Sequence, residues 1–354
     1  MRIVRTILNR SMALAVVSAV AAGLPSVAHA TVNPLCTKAP EVKKMTMMMD
    51  WLPYFSWAPF LAAETEGFFT EEGIEVNVIE PPSVADPIKL LVTNKVDFAI
   101  SYVPAMFSAR DKGIPVKTIA ALQRNLSAAM FWLPDTPITK VADLKGKTIG
   151  LTAKLDERAY LKALLATANL TLNDVTIVDP GFGWARLMLD KKIDTSHGVV
   201  TNPASMAGIG GPKTLSAFKY RDHGVPNYPW LLIASNDQFL SKNGAATCRF
   251  LRAVSRGADV AIGRRTKTQM LAENLNKMNS AYSVDTLLHH ARLMEPDFFD
   301  EKGQFGTLNL AEWEVARKWM IENAIIAKDS KVKVDEVATN AFLPGEYPSG
   351  LLKK

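Results

Sequence analysis

From Met45 onward, short apolar segments of strand length alternate with helix-patterned ones, and this alternation restricts the fold more than any other feature of the chain. It predicts βαβ units and mostly parallel sheet. A first series places strands over 45–49, 74–79, 96–100 and 116–122. A helix over 58–66 stops at Gly67, Ser83 caps a helix running through Leu91, and a third helix opens at Pro104 and closes at Gly113. Residues 130–133 are extended and lead into Pro134-Asp135-Thr136-Pro137, a turn-rich crossing. A second series follows: strands over 148–151, 175–178 and 193–200, with helices over 157–168 and 184–189. Pro226 to Pro229 marks the return crossing, and the strand 230–234 carries the chain back. The remainder is helical. Cys248, Leu251, Val254 and Ala258 share one face, and Trp313, Ala316, Trp319 and Met320 turn inward from a helix over 311–326.

The expected architecture is α/β with two lobes, each a mostly parallel sheet flanked by helices, joined by two hinge crossings. The boundaries read as a leader over 1–30, lobe one over 31–133, lobe two over 134–229, and lobe one again over 230–354. Hinged lobes close around ligands, and ligands of parallel α/β sheets sit at the carboxyl ends of the strands. The loops after each strand are therefore where a site is expected.

The leader rests on Arg2, Arg5 and Arg10, an apolar run over 12–20, and Ala28-His29-Ala30 as a cleavage signal. The apolar run is shorter than the roughly 20 residues a spanning helix needs. Cleavage would leave 324 residues, beyond the usual size of one hydrophobic core. The leader holds three arginines and no acid, so the formal net charge of +6 falls to +3 without it. That balance, and the lack of clustered Lys and Arg with interleaved aromatics, speaks against nucleic acid as a partner.

Cys36 and Cys248 are the only thiols. In an oxidising compartment they can form one disulfide; alternatively Cys248 is a buried small apolar residue of its helix. His197, His223, His289 and His290 show no i,i+4 spacing with a carboxylate, and adjacent helical histidines point about 100° apart, so no metal site is expected. No G-x-S-x-G elbow occurs. Gly208-Ile209-Gly210-Gly211-Pro212-Lys213 has Pro212 where a phosphate-cradling loop needs glycine.

Three strand-end regions carry a resemblance. Asp50-Trp51-Leu52-Pro53 with Ala62-Ala63-Glu64-Thr65-Glu66-Gly67-Phe68-Phe69 and Glu72-Gly73-Ile74 is the first. Val96-Asp97-Phe98-Ala99-Ile100-Ser101-Tyr102 with Ala109-Arg110-Asp111-Lys112-Gly113-Ile114-Pro115-Val116 is the second, and Asp143-Leu144-Lys145-Gly146-Lys147-Thr148-Ile149-Gly150 the third. Together they resemble the thiamine-pyrimidine-precursor-binding branch of ABC importer solute-binding proteins, whose wider relatives bind sulfonates, taurine and nitrate. The resemblance runs from about Met45 to Ile193. It implies a type II periplasmic-binding-protein fold, a periplasmic monomer, no enzymatic chemistry and no cofactor. It also implies delivery of a small molecule to an ABC permease and its ATPase. A planar nitrogen-containing ring is the expected ligand; an aromatic acid, a sulfonate or a nitrate-like anion is the alternative. A pyrimidine-synthase-like enzyme and a periplasmic sensor subunit are the rival classes. Two departures stand out. Trp57 occupies the position of the synthase branch's histidine, with no cysteine cluster. Thr201-Asn202-Pro203-Ala204-Ser205 stands where the pyrimidine-binding branch commonly has an acid.

Candidate ligand contacts follow from loop position and resemblance together. Trp51, Tyr54 and Trp57 crowd the first strand-end loop, where flat rings stack well on flat ligands; the other use of such aromatics is to staple the loop to the helix beneath, as expected for Phe55 and Phe60. Asp50 would accept hydrogen bonds from the ligand or from nearby backbone. Ser83, Ser101 and Tyr102 lie at helix starts expected to face the cleft. From the second lobe come Phe182, Trp184 and Asn202, with Arg186 as a counter-charge or a solvated side chain.

Overall fold

The computed structural model describes residues 32–83, 88–263 and 265–345. The expected leader, and the first residues of the helix that Ser83 would cap, lie outside the described residues. Two five-stranded sheets form the frame. The first holds β1 (Lys44–Met48), β2 (Glu75–Ile79), β3 (Phe98–Ser101), β4 (Val116–Ala121) and, much later, β10 (Leu232–Asn236). The second holds β5 (Ala128–Trp132), β6 (Thr148–Gly150), β7 (Thr176–Val178), β8 (Thr195–Val199) and β9 (Ser216–Lys219). Their orders, β2-β1-β3-β10-β4 and β7-β6-β8-β5-β9, repeat one pattern.

Each sheet contains one strand running against its neighbours. β10 is antiparallel to β3 and β4, and β5 is antiparallel to β8 and β9. In both cases it is the strand that follows directly on a crossing from the other sheet. The sheets are therefore mixed, with the parallel core expected from the alternation. β5 also corrects the sequence reading, which left 130–133 ahead of the first crossing. Its pairing with β8 and β9 moves that crossing to residues 122–127. The local pattern of β5 is a plain apolar run, and only long-range pairing decides which sheet such a run joins. β9, with its half-exposed pattern, was not anticipated at all.

The two crossings lie side by side. Leu122 N and Gln123 N donate to Leu231 O at 2.8 and 3.1 Å, and Trp230 N returns a bond to Gln123 O at 2.9 Å. Side chains brace them: Asn227 Nδ2 donates to Asn125 Oδ1 at 2.9 Å, and Asn125 Nδ2 donates to Asp297 Oδ1 at 2.7 Å.

Helices cover the sheets. The amphipathic helix Gly244–Gly263 packs on Ala58–Thr65, and Gly257 permits the approach, since a Cβ there would stand 1.9 Å from the Pro59 carbonyl oxygen. Beneath the first sheet, Phe250 stacks on Phe98 with centroids 4.2 Å apart and on Phe69 at 6.2 Å. Cys36 and Cys248 form a disulfide, with Cα atoms 5.1 Å apart, that pins the N-terminal arm to this helix. Around it, Arg252 Nε donates to the buried Glu72 at 2.7 Å and Arg249 Nε to Lys38 O at 2.6 Å. No helix among the described residues is long and apolar enough to cross a membrane.

Candidate functional site

The carboxyl ends of β1, β3, β6, β7 and β8 converge on one cavity of about 90 Å³, room for several waters or one small ring. β1 delivers Asp50, Trp51 and Tyr54, and β3 delivers Tyr102. From the second sheet, β6 supplies Thr152, Lys154 and Glu157, the turn after β7 supplies Trp184, and β8 supplies His197 and Asn202. Trp230, Tyr282, Ser205 and His290 complete the lining.

The charged groups form one connected set. The Tyr102 hydroxyl donates to Asp50 Oδ2 at 2.5 Å, and Lys154 Nζ donates to the same hydroxyl while lying 3.7 Å from Asp50 Oδ2. The ammonium also sits over the Tyr102 ring, 4.4 Å from its centroid. Both side chains of the pair are only 6% exposed. Asp50 Oδ1 is buried with no hydrogen-bond partner among the described residues. Burial, then the charge of Asp50, pushes the Tyr54 and Tyr102 phenols up, so both remain protonated donors. Glu157 is held by its own loop, its two oxygens accepting from Thr152 N and Thr152 Oγ1, each at 2.6 Å.

Both histidines are kept neutral. Burial lowers His197, which stacks on Tyr160 and Tyr220 with centroids at 6.1 and 5.6 Å. Burial, then the neighbouring His289, pushes His290 down to about 3. Among the described residues no cluster of three or more His, Cys, Asp or Glu is placed to hold a metal ion.

Six of the ten side chains singled out from sequence line the cavity: Asp50, Trp51, Tyr54, Tyr102, Trp184 and Asn202. The carbonyl oxygen of Asn202 is engaged locally, accepting from Val199 N at 3.0 Å. Gly198 makes room for that side chain, since a Cβ there would stand 1.9 Å from Asn202 Nδ2. The other four lie elsewhere. Trp57 is buried beneath the loop, its Nε1 donating to Trp51 O at 3.2 Å, so it staples the loop instead of facing a ligand. Ser101 is fully buried as the last residue of β3, and Ser83 is exposed away from the lining. Phe182 sits at the rim, its ring edge-on to Trp51 with centroids 4.7 Å apart. Arg186 is exposed and paired with Asp190 at 3.0 Å, which removes it as a counter-charge in the cleft.

The sequence reading missed Lys154, Glu157, His197, Trp230, Tyr282 and His290. Lys154 and Glu157 follow β6 at a strand end, the same positional signal that singled out Asp50. Tyr282 and His290 lie in the C-terminal helical region, where periodicity points only to a core face.

A family model described as NMT1/THI5 like matches residues 54–267. The formylaminopyrimidine-binding protein of Halalkalibacterium halodurans is 24% identical over 295 residues, covering 82% of this chain and 89% of that one. A 4-amino-5-hydroxymethyl-2-methylpyrimidine phosphate synthase of Saccharomyces cerevisiae is 27% identical over 234 residues, 63% of this chain and 68% of its own. Among solved structures, the periplasmic nitrate-binding protein of Synechocystis PCC 6803 superposes with a TM-score of 0.65 at 13% identity, covering 86% of this chain and 88% of that one. The fold is that of periplasmic binding proteins.

Proposed function

This chain belongs to the NMT1/THI5-like family, and from that premise we propose that it is a periplasmic solute-binding protein. In this reading it captures a small, planar, amino-bearing nitrogen ring, such as a thiamine pyrimidine precursor, for an ABC permease and its ATPase. The observation that carries the ligand class is Asp50 Oδ1, a buried carboxylate oxygen without a partner among the described residues, at the wall of an aromatic cavity. An unfilled buried acceptor costs roughly 1–3 kcal/mol. A ring N–H or exocyclic amine would fill it while the ring stacks on Trp51.

Charge favours the same class. The lining holds Asp50, Glu157 and a single lysine, and that lysine is already engaged by Asp50 and Tyr102. A sulfonate, nitrate or aromatic carboxylate would meet an excess of negative charge. Support for binding without catalysis comes from Trp57 at the histidine position of the synthase branch and from both cysteines being tied in a disulfide.

Capture would proceed by closure. The chain passes between the halves at two crossings, 122–127 and 220–231, that lie side by side, an arrangement suited to hinge motion. A ligand that bridges both walls favours the closed form by its differential affinity for it.

The test is titration calorimetry on the chain from Thr31. The panel is formylaminopyrimidine, 4-amino-5-hydroxymethyl-2-methylpyrimidine, an alkanesulfonate, nitrate and benzoate, with recovery of each ligand afterwards. Tight binding of an aminopyrimidine recovered unchanged is expected. Binding of benzoate or the sulfonate alone would overturn the ligand class, and conversion of any ligand would overturn the transport reading.

A further inference from the structure

We propose that Lys154 is a closure latch, a residue that sets the closed population of the two halves before any ligand is bound. The proposal rests on the solute-binding reading above but not on which solute is bound. Lys154 belongs to the second sheet: it follows β6 and precedes the helix Leu155–Ala166. Its partners belong to the first sheet, Asp50 after β1 and Tyr102 after β3. No covalent or local constraint joins these loops, so the contact exists only when the halves are together.

The loop holding the lysine is braced for this reach. Thr152 and Glu157 close the turn on either side of it with two hydrogen bonds of 2.6 Å. With Glu157 satisfied locally, the ammonium is directed to the other half.

Energetics make the latch partial. Burying an ammonium and a carboxylate costs about as much as their attraction returns, unless every remaining lone pair is satisfied. Here Asp50 Oδ1 is not satisfied by any described residue. Closure on an empty cavity is therefore close to balanced. Closure on a ligand that donates to Oδ1 completes the carboxylate and becomes favourable. Lys154 thus brings the empty protein near its tipping point, and the ligand's donor moves it over.

A latch and a plain ligand contact differ in two measurable ways. A latch changes the empty protein, and it weakens all ligands by one common factor, because apparent affinity scales with the fraction of competent protein. The experiment places nitroxide pairs, through non-canonical residues that spare the disulfide, on the exposed Lys44 and Lys145, one on each half. Electron–electron distances are recorded without ligand for wild type, Lys154→Met and Tyr102→Phe. The expected result is a bimodal distribution in wild type that loses its short-distance population in both variants. Affinity for each solute found to bind wild type should fall by a similar factor, about tenfold. An unchanged distribution in the empty variants, with affinity lost only for some solutes, would overturn the latch and make Lys154 a ligand contact. Loss of native circular dichroism in both variants would overturn it equally, since a latch is dispensable for folding either half. Because the primary measurement uses empty protein, failure of every aminopyrimidine to bind would leave the latch result standing.

Discussion

Ser205 Oγ and His290 Nε2 meet at 3.1 Å, joining the helix Asn202–Gly208 of the second sheet to the helix Val284–Met294 that packs with the first. The contact ties the two halves by a neutral hydrogen bond next to the cavity, on different elements from the Asp50, Tyr102 and Lys154 set.

Acid should loosen this side of the molecule. The folded protein keeps His290 neutral down to about 3, whereas the unfolded chain takes up a proton near the ordinary value of 6.5. Below 6.5 the unfolded state binds more protons. Stability present above that pH is therefore lost as pH falls, by roughly 1.4 kcal/mol per unit. Melting curves from pH 7.5 to 4.5 should show this slope in wild type and a shallower one in His290→Gln. Parallel slopes would mean that His290 protonates freely in the folded state.

The two tryptophans of the first loop should separate binding from stability. Trp51 faces the cavity, and Trp57 lies beneath it at 2% exposure. Trp51→Ala should weaken aminopyrimidine binding by about 2 kcal/mol, some thirtyfold, as expected for lost ring stacking, with little change in melting temperature. Trp57→Ala should cost roughly 3–5 kcal/mol of stability through the cavity it leaves. Calorimetry and melting on both variants check this, and equal affinity in wild type and Trp51→Ala would refute the stacking role.

Why Trp51 was legible in sequence and Lys154 was not has a physical explanation. Parallel sheets present their ligands at strand ends, so conspicuous aromatic, acidic or amide residues in the loop or helix start after a strand were the candidates. Asp50, Trp51, Tyr54, Tyr102, Trp184 and Asn202 were all found in this way. Trp57 is only a few residues farther along, but a helical turn over Phe55–Trp57 points its ring downward. Lys154 is conspicuous only once Asp50 and Tyr102 stand opposite it, and that pairing spans the two sheets. The placement of β5 was hidden for the same reason: local pattern reports a strand, and only distant partners say which sheet it joins. Tyr282, just before the helix Val284–Met294, and His290, within it, look like core residues until that helix is seen to border the cleft.

The disulfide should matter for stability and leave the site untouched. Cys36 and Cys248 are separated by 212 residues, so reduction restores much freedom to the unfolded chain. None of the N-terminal arm lines the cavity. Cys36→Ser with Cys248→Ser should lower stability by roughly 2–5 kcal/mol while leaving ligand affinity within twofold at a temperature where the protein is folded. A large loss of affinity at that temperature would show that the arm positions the first strand-end loop.

At the crossings, one buried carboxylate opposes the trend set by His290. Asp297 accepts from Asn125, which in turn accepts from Asn227, so it braces both crossing segments. Burial raises its pKa, and the hydrogen bond from Asn125 with the charges of Arg221 and Arg124 offsets this only partly. The folded state therefore keeps a proton on Asp297 up to a higher pH than the unfolded chain, which releases it near 3.8. This contribution to stability grows as pH falls through the raised value and saturates below 3.8. At pH 7 the charged form is a net burden, while the bond from Asn125 needs only an oxygen. Asp297→Asn keeps that oxygen and removes the charge. It should melt a few degrees higher than wild type at pH 7, and the advantage should shrink toward pH 4. If the variant melts lower at pH 7, the two arginines depend on the carboxylate charge, and the bracing of the crossings is ionic, not a matter of neutral hydrogen bonds.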